Sequence, residues 1–247
     1  MCTWWWDMAR LSKEVYVKAE TLRFRKKFSR IVKLSSLCLL LFLIIVYIVL
    51  QVIYNEGRFT VTLDSNKTLE SGIAIYESLN DRTGRRELFA TPVNFMDNIS
   101  VDWLPKDIHG NYEGSHNDNN YIAYTFYVEN QGKEELNYWY SVILDDVIKN
   151  VDEAMRIRIY LNDEVKTYGK ANKFGDAEKG CENFEFSGFN KDTLILESRK
   201  GFKPGDRDKF TIVIWIEGDD PDCVDALIGG EFKVHMKITE EHVEKID

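Results

Sequence analysis

The most constraining feature of the sequence is an uncharged, largely apolar stretch of 21 residues that runs from Leu34 to Tyr54. An α-helix rises about 1.5 Å per residue, so a helix of this length spans the roughly 30 Å hydrocarbon core of a bilayer. A buried core helix is rarely so uniformly apolar over such a length. The stretch therefore predicts one transmembrane helix close to the N-terminus.

The charges on the two sides of this stretch predict its orientation. Residues 1–33 carry a net charge of +6, and the remainder of the chain carries −15. Short flanks rich in Lys and Arg stay in the cytoplasm. We expect a single-pass protein of the cell membrane with a cytoplasmic segment 1–33, a transmembrane helix 34–54 and an extracellular domain 55–247.

A cleaved signal peptide is the main alternative, because it also has a basic region followed by an apolar one. Its apolar region has only about 7–15 residues and ends in small residues. Here the apolar stretch continues into residues 51–56, QVIYNE, with no small-residue pattern. The sequence therefore favours an uncleaved anchor.

The basic N-terminal segment has apolar residues at helical spacing between residues 11 and 31. This pattern predicts an amphipathic helix that lies on anionic lipid, with aromatic and basic residues at the membrane interface. The predicted interface residues are Trp4, Trp5, Trp6, Arg25, Lys26 and Lys27. Two alternatives stay open: a topology signal with a disordered tip, and a cytoplasmic protein partner for the Trp run.

Beyond Gly57 the apolar residues no longer recur at helical spacing but at every second residue, as in a strand. One-sided alternation recurs in residues 59–63, 73–75, 121–128, 138–144, 157–161, 210–216 and 232–238. Several such strands separated by turns indicate antiparallel sheets packed face to face. We therefore predict an all-β ectodomain, an antiparallel β-sandwich of the jelly-roll or Ig-like type. Its acidic balance argues against nucleic acid as a partner.

Cys181 and Cys223 are the only cysteines beyond the apolar stretch. On the predicted extracellular side disulfides persist, so the two are expected to form a bridge. The alternative is a pair of unpaired thiols, one of them buried.

The turn around residues 217–225 is the best ligand candidate in the sequence. Calcium prefers several oxygen ligands on a flexible loop. The candidate ligands are Asp219, Asp220, Asp222 and Asp225. Because the D-x-D-x-D-G spacing of calcium loops is missing, a solvated acidic turn is the competing interpretation.

Four aromatic residues fall on the outward phase of their predicted strands: Tyr121, Tyr127, Tyr160 and Trp215. If they are exposed together, they offer a rigid contact surface of the kind that binds proteins or glycans. The alternative is that the other sheet, or the irregular segment 80–120, folds over them.

Motifs of catalysis are missing from the sequence. It has no H-E-x-x-H zinc motif, no G-x-S-x-G nucleophile elbow and no glycine-rich phosphate loop after a strand. We therefore predict that the protein is not an enzyme, takes no small-molecule substrate and needs no cofactor other than the candidate calcium.

A family resemblance emerges in the last third of the chain. Residues 202–206 (FKPGD), 208–223 (DKFTIVIWIEGDDPDC), 228–230 (IGG) and 127–132 (YVENQG) carry it. Residues 120–240 resemble the TasA/camelysin-like surface proteins of Gram-positive bacteria. The resemblance implies a secreted jelly-roll sandwich that forms fibres by donating a strand to the next subunit. The chain departs from the family in lacking the small-residue cleavage site that releases its members.

These patterns together predict a membrane-anchored β-sandwich with a binding, structural or assembly role at a bacterial cell surface. Its expected partners are membrane lipid and either a protein partner or further copies of itself. The competing hypotheses are an accessory subunit of a larger membrane complex and an enzyme of the metallopeptidase kind whose chemistry has no local motif.

Overall fold

The computed structural model describes residues 27–28, 31–49, 59–64, 72–185 and 192–241. The chain divides into two compact units, Met1–Glu56 and Gly57–Asp247. The predicted domain boundary after residue 54 falls outside the described residues, as do Trp4, Trp5, Trp6, Arg25 and Lys26.

The first unit contains helix α1, Ile31–Val49. Within the described part of the chain it is the one helix long and apolar enough to cross a membrane, a test that a signal sequence near the N-terminus also passes. The described part of the helix includes Ile31 and Val32, which extend the apolar run past Lys33 to the N-terminal side of the predicted Leu34. Lys27, also helical, is exposed.

The second unit is mostly β-structure. Its strands are β1 Thr60–Leu63, β2 Ile73–Tyr76, β3 Glu87–Phe89, β4 Gly114–Ser115, β5 Tyr121–Asn130, β6 Leu136–Ile148, β7 Met155–Leu161, β8 Glu164–Gly169, β9 Glu182–Asn183, β10 Thr193–Phe202, β11 Arg207–Ile216 and β12 Glu231–Glu241. All seven segments in which alternation predicted a strand lie on strands, and the pattern did not predict β3, β4, β8, β9 or β10.

The strands form two mixed sheets. The first has the order β10-β6-β12-β1-β3, and the second has the order β2-β5-β11-β7-β8-β9, with β4 also paired to β5. Two pairs are parallel, β1 with β12 and β8 with β9, so the prediction of purely antiparallel sheets is wrong there. Both parallel pairs join strands separated by long connections, which parallel pairing requires and local periodicity does not reveal.

Both sheets contribute side chains to one buried hydrophobic cluster. Val142 and Met236 come from the first sheet, and Phe126 and Phe210 come from the second. The ring of Tyr140 on β6 meets Phe210 edge-on, with centroids 5.2 Å apart. The predicted core phase of the alternating strands is therefore confirmed, and the inner faces of the two sheets pack on each other.

Short segments connect the edges of the two sheets. On one side the backbone of residues 85–90 bonds to β2 through Arg85 N and Ile75 O (3.0 Å), and to β1 through Leu63 N and Arg86 O (2.9 Å). On the other side Phe184 N donates to Gly169 O of β8 (2.8 Å), and the next residue's N donates to β10 (2.9 Å). We call each place where an edge of one sheet lies beside an edge of the other a seam. Backbone hydrogen bonds thus connect the two sheets at both seams.

One end of this unit gathers several loops. The end of β11 pairs with the start of β7 through Ile216 and Met155, and Arg156 pairs with Gly169 at the end of β8. Ile99 bridges to Glu217 directly after β11. We call this region, made of residues 95–104, 149–154, 170–181 and 217–230, the loop end.

Candidate functional site

The centre of the loop end is a buried ion pair between Arg156 and Asp220. Arg156 is the second residue of β7, and its guanidinium donates to the Asp220 carboxylate and to Met155 O (3.1 Å). Both side chains are almost wholly inaccessible. Gly169 provides room for the guanidinium, because a Cβ there would lie 3.0 Å from it.

A second buried carboxylate, that of Glu217, joins two of the loops. Its Oε2 accepts from Trp215 Nε1 (3.0 Å) and from the backbone N of Val101 (3.2 Å), and its Oε1 accepts from Asp219 N (3.2 Å). Ser100 Oγ donates to Asp219 Oδ2 at 2.5 Å. Segments 95–104 and 217–230 are therefore fixed to each other by side chains and backbone together.

A third connection joins loops 149–154 and 170–181. The ammonium of Lys170 donates to Asp152 Oδ2 and Glu153 Oε1, each at 2.7 Å. Partial burial lowers the pKa of Lys170, but hydrogen bonds and charge from the two carboxylates raise it more, so the net shift is upward. The lysine stays charged and ties the two loops together.

The structure divides the four predicted calcium ligands. Asp220 is paired with Arg156, and Asp219 accepts from Ser100. Asp222 lies with Asp220 and Glu178, whose ligand oxygens are all within 4.8 Å of one another. Asp225, the remaining candidate, is exposed at the start of a 3₁₀ turn.

Sequence reasoning missed both Glu178 and Arg156 at this position. Glu178 comes from a different loop, and no local spacing connects it with the acidic turn. Arg156 lies in an alternating strand, on the phase opposite the predicted core, and nothing in that pattern marks it as part of a site. The guanidinium supplies positive charge to the carboxylates, so their proximity requires no cation.

The predicted disulfide between Cys181 and Cys223 is not found, because the structure has both as free thiols. Their sulfur atoms have different partners: Asn98 Nδ2 donates to Cys223 Sγ (3.2 Å), whereas Cys181 lies close to Arg156. Burial raises the pKa of the Cys181 thiol, and the nearby guanidinium offsets part of that rise.

The prediction of an exposed aromatic face is wrong. Trp215 is 0% exposed, and Tyr121 and Tyr127 are also buried. Segment 95–120 folds over this side of the second sheet, where apolar residues from Ile99 to Ile108 pack on Tyr121 and Trp215. The Arg158 guanidinium also lies 5.3 Å from the centre of the Trp215 ring.

Tyr160, the fourth predicted member of that face, is only partly buried. Its ring stacks on His109 from the covering segment, with centroids 4.5 Å apart. Tyr121, Tyr160 and Trp215 therefore serve as a packing surface for residues 95–120, which is the alternative that the sequence left open. Tyr127 stacks instead on Tyr76 of β2, with centroids 5.6 Å apart.

Large apolar side chains are exposed at the loop end instead. In the described part of the second unit the four most exposed are Phe95 (83%), Phe174 (77%), Trp103 (74%) and Ile228 (71%). All four lie on loop-end segments, and Val224 beside them is also exposed. Local alternation could not find them, because none lies on a strand.

Comparisons with known proteins give no family for this chain. No family model matches it, and no curated protein matches it. Two crystal structures of a β-glucosidase from Kluyveromyces marxianus, one with glucose and one with selenomethionine, have TM-scores of 0.24 and 0.27 and identities of 15% and 14%. The aligned parts cover 71% and 70% of this chain but only 15% and 17% of the enzyme. Similarity at this level carries no inference about fold or function.

Proposed function

We propose that the protein is a membrane-anchored β-sandwich module that acts by binding at a bacterial cell surface, in a structural or assembly role. In this proposal α1 is an uncleaved anchor, the N-terminus is cytoplasmic and the second unit is extracellular. The net +6 on residues 1–33 supports this orientation.

The observation that carries the binding role is the set of four exposed apolar side chains at the loop end. The surfaces of soluble proteins seldom expose several large apolar side chains in one region, and such patches mark interaction sites. The loops that present Phe95, Trp103 and Ile228 are fixed through Glu217 and Asp219, so little conformational entropy is lost when a partner binds.

A jelly-roll or Ig-like sandwich of the TasA/camelysin-like kind belongs to the same proposal. Two sheets that share one core support it. Two of the segments that carry the resemblance also lie on neighbouring strands, since residues 127–130 end β5 and residues 208–216 belong to β11. Strand donation between copies is not needed for the binding role proposed here.

Protease protection tests the anchor. Full-length protein in intact cells or protoplasts should lose the part beyond residue 55 to added protease, while a short N-terminal fragment stays in the membrane and resists carbonate extraction. A matched sample of opened vesicles should lose the N-terminal segment as well. Recovery of the second unit in the medium, with a new N-terminus near residue 55, would overturn the anchor.

A further inference from the structure

We infer that His116 is a pH-sensitive switch: with a proton on both ring nitrogens it holds residues 108–116 on the second sheet, and the loss of one proton loosens them. These residues belong to segment 95–120, which covers one side of that sheet. The switch depends neither on the anchor nor on the exposed side chains of the loop end.

The ring of His116 lies between two backbone carbonyl groups. Its Nδ1 is 3.1 Å from Gly114 O, and its Nε2 is 3.0 Å from Ile108 O. Carbonyl oxygens only accept hydrogen bonds, so each contact needs a proton on the histidine nitrogen. Neutral imidazole has a single N–H, and its other nitrogen would face an oxygen with a lone pair of its own. Only the imidazolium form donates to both carbonyls, and its charge strengthens both hydrogen bonds.

The ring of Tyr112 also favours the charged form of His116. The two rings stack with centroids 4.6 Å apart and planes inclined by 6°. The face of a tyrosine ring attracts a cation, and the attraction grows when water is partly excluded. His116 is itself partly buried. The stacking and the two carbonyl contacts thus act in the same direction.

Charged groups of both signs surround this part of the chain. Lys209 of β11 donates from Nζ to His109 O at 3.0 Å and to Gly110 O, and its positive charge disfavours a second cation nearby. Carboxylates favour one. The other titratable and charged groups are Asp107, His109, Glu113 and Asp118 of the covering segment, Glu77 and Arg85 beside β2, and Tyr121 and Tyr124 of β5. Because these charges oppose one another, the two direct carbonyl contacts determine the sign.

His116 connects two parts of the covering segment. Ile108 lies in one buried cluster with Tyr121 and Trp215. The backbone N of His116, which directly follows β4, donates to Ala123 O of β5 at 2.9 Å. Two hydrogen bonds from one ring therefore close the chain between these two attachments to the sheet.

The direction of the pH effect follows from the proton that closure takes up. The closed segment binds the doubly protonated ring best, so closure strengthens as pH falls and weakens as pH rises. At higher pH the backbone of residues 108–116 should open more often, and the aromatic residues beneath it should meet solvent more often.

Hydrogen exchange of the full-length chain in detergent micelles tests the switch. Exchange is measured by mass spectrometry at about pH 5 and about pH 8, on either side of the ordinary titration of histidine. The rates are corrected for the intrinsic pH dependence of exchange. We expect the protection of residues 108–116 to fall roughly tenfold at the higher pH, the effect of losing one charge-assisted hydrogen bond. The protection of β11 should stay the same.

Two glutamine variants identify the responsible histidine. His116→Gln retains an amide donor but does not titrate, so its protection should be equal at both pH values. His109 is the matched control, because it is exposed on the same segment and also stacks on a tyrosine. His109→Gln should keep the full pH dependence of the wild type.

Three results would overturn the switch: equal wild-type protection at both pH values, a pH dependence that His116→Gln retains, or one that His109→Gln abolishes. NMR of the wild type labelled with ¹⁵N-histidine adds a test that needs no folded His116 variant. The His116 ring signals, assigned by replacing each of the other three histidines, should change over the same pH range as the protection of residues 108–116. Separate pH ranges for the two changes would also overturn it.

Discussion

At the scale of single residues, the buried pair of Arg156 and Asp220 connects two parts of the fold through opposite charges. A buried ion pair contributes little net stability, since desolvation offsets its Coulomb attraction, but losing one partner leaves an uncompensated charge. Here the pair joins β7 to loop 217–230. The acidic turn that suggested a calcium loop thus also makes a structural contact to an arginine.

Replacement of Asp220 tests this assignment. Asp220→Asn should destabilise the protein by about 3–5 kcal/mol, because Arg156 is then buried without its counter-charge. Asp225 is an exposed residue of the same loop, so Asp225→Asn should change the free energy of unfolding by less than about 0.5 kcal/mol. Urea denaturation measures both, with and without calcium. Equal effects of the two changes would contradict the pairing. So would a calcium-dependent rise in stability that the wild type shows and Asp220→Asn lacks.

Cys181 gives a second prediction at this scale. Because burial raises the pKa of its thiol, less of it is thiolate at neutral pH than in an ordinary cysteine. Alkylation of the native protein at pH 7 should therefore be slower at Cys181 than in a small model thiol, and should accelerate as pH rises. Mass mapping of iodoacetamide adducts over time measures the rate. A Cys181–Cys223 disulfide peptide in the native protein would contradict the free thiols.

At the scale of elements, segment 95–120 determines which aromatic residues of this part of the second unit are exposed. It carries a 3₁₀ turn, Val101–Trp103, whose start is capped by Ser100, and it places Leu104 and Ile108 on the second sheet. Strand β5 is consequently buried along its whole length, on both faces. The covering segment removes the aromatic residues of the sheet from solvent and presents Trp103 in their place.

A pair of tryptophan replacements separates these two environments. Trp215→Ser should cost about 3–5 kcal/mol, since it empties a packed site and leaves Glu217 without one donor. Trp103→Ser should change stability by less than about 0.5 kcal/mol, because the ring is exposed. Thermal or urea unfolding compares them. Similar losses for both would show that the exposure assigned to Trp103 is wrong.

The strands that the sequence predicted are those in which apolar residues recur at every second position. Alternation located β5, β7, β11 and β12 because their inner residues all face one core. It missed β10, whose pairing with β6 is interrupted by two irregularities, and β8, where apolar residues are too few to show a period. Parallel pairs and the covering segment depend on contacts between distant residues, which no local pattern contains.

The candidate site was predictable in its location and not in its chemistry. Acidic residues 217–225 do lie in a loop, as their composition indicated. Their partners Arg156, Glu178 and Ser100 come from three other segments, so the sequence offered no way to pair them. Prediction of an exposed aromatic face failed for a related reason: the outward phase of a strand says nothing about what a distant loop places on it.

At the scale of the whole molecule, the bridged seams between the sheets bear on how copies of the second unit can associate. A strand added from a neighbour needs a free edge, yet residues 85–90 and 182–185 already occupy backbone groups on both seams. Lys166 and Tyr168 of β8 also contact Glu197 of β10 across one of them, at 2.6 and 3.1 Å. Polymerisation by strand exchange would first have to detach one of these segments, so it would begin with a lag and speed up with preformed seeds. The intact molecule is therefore a poor template for its own copies.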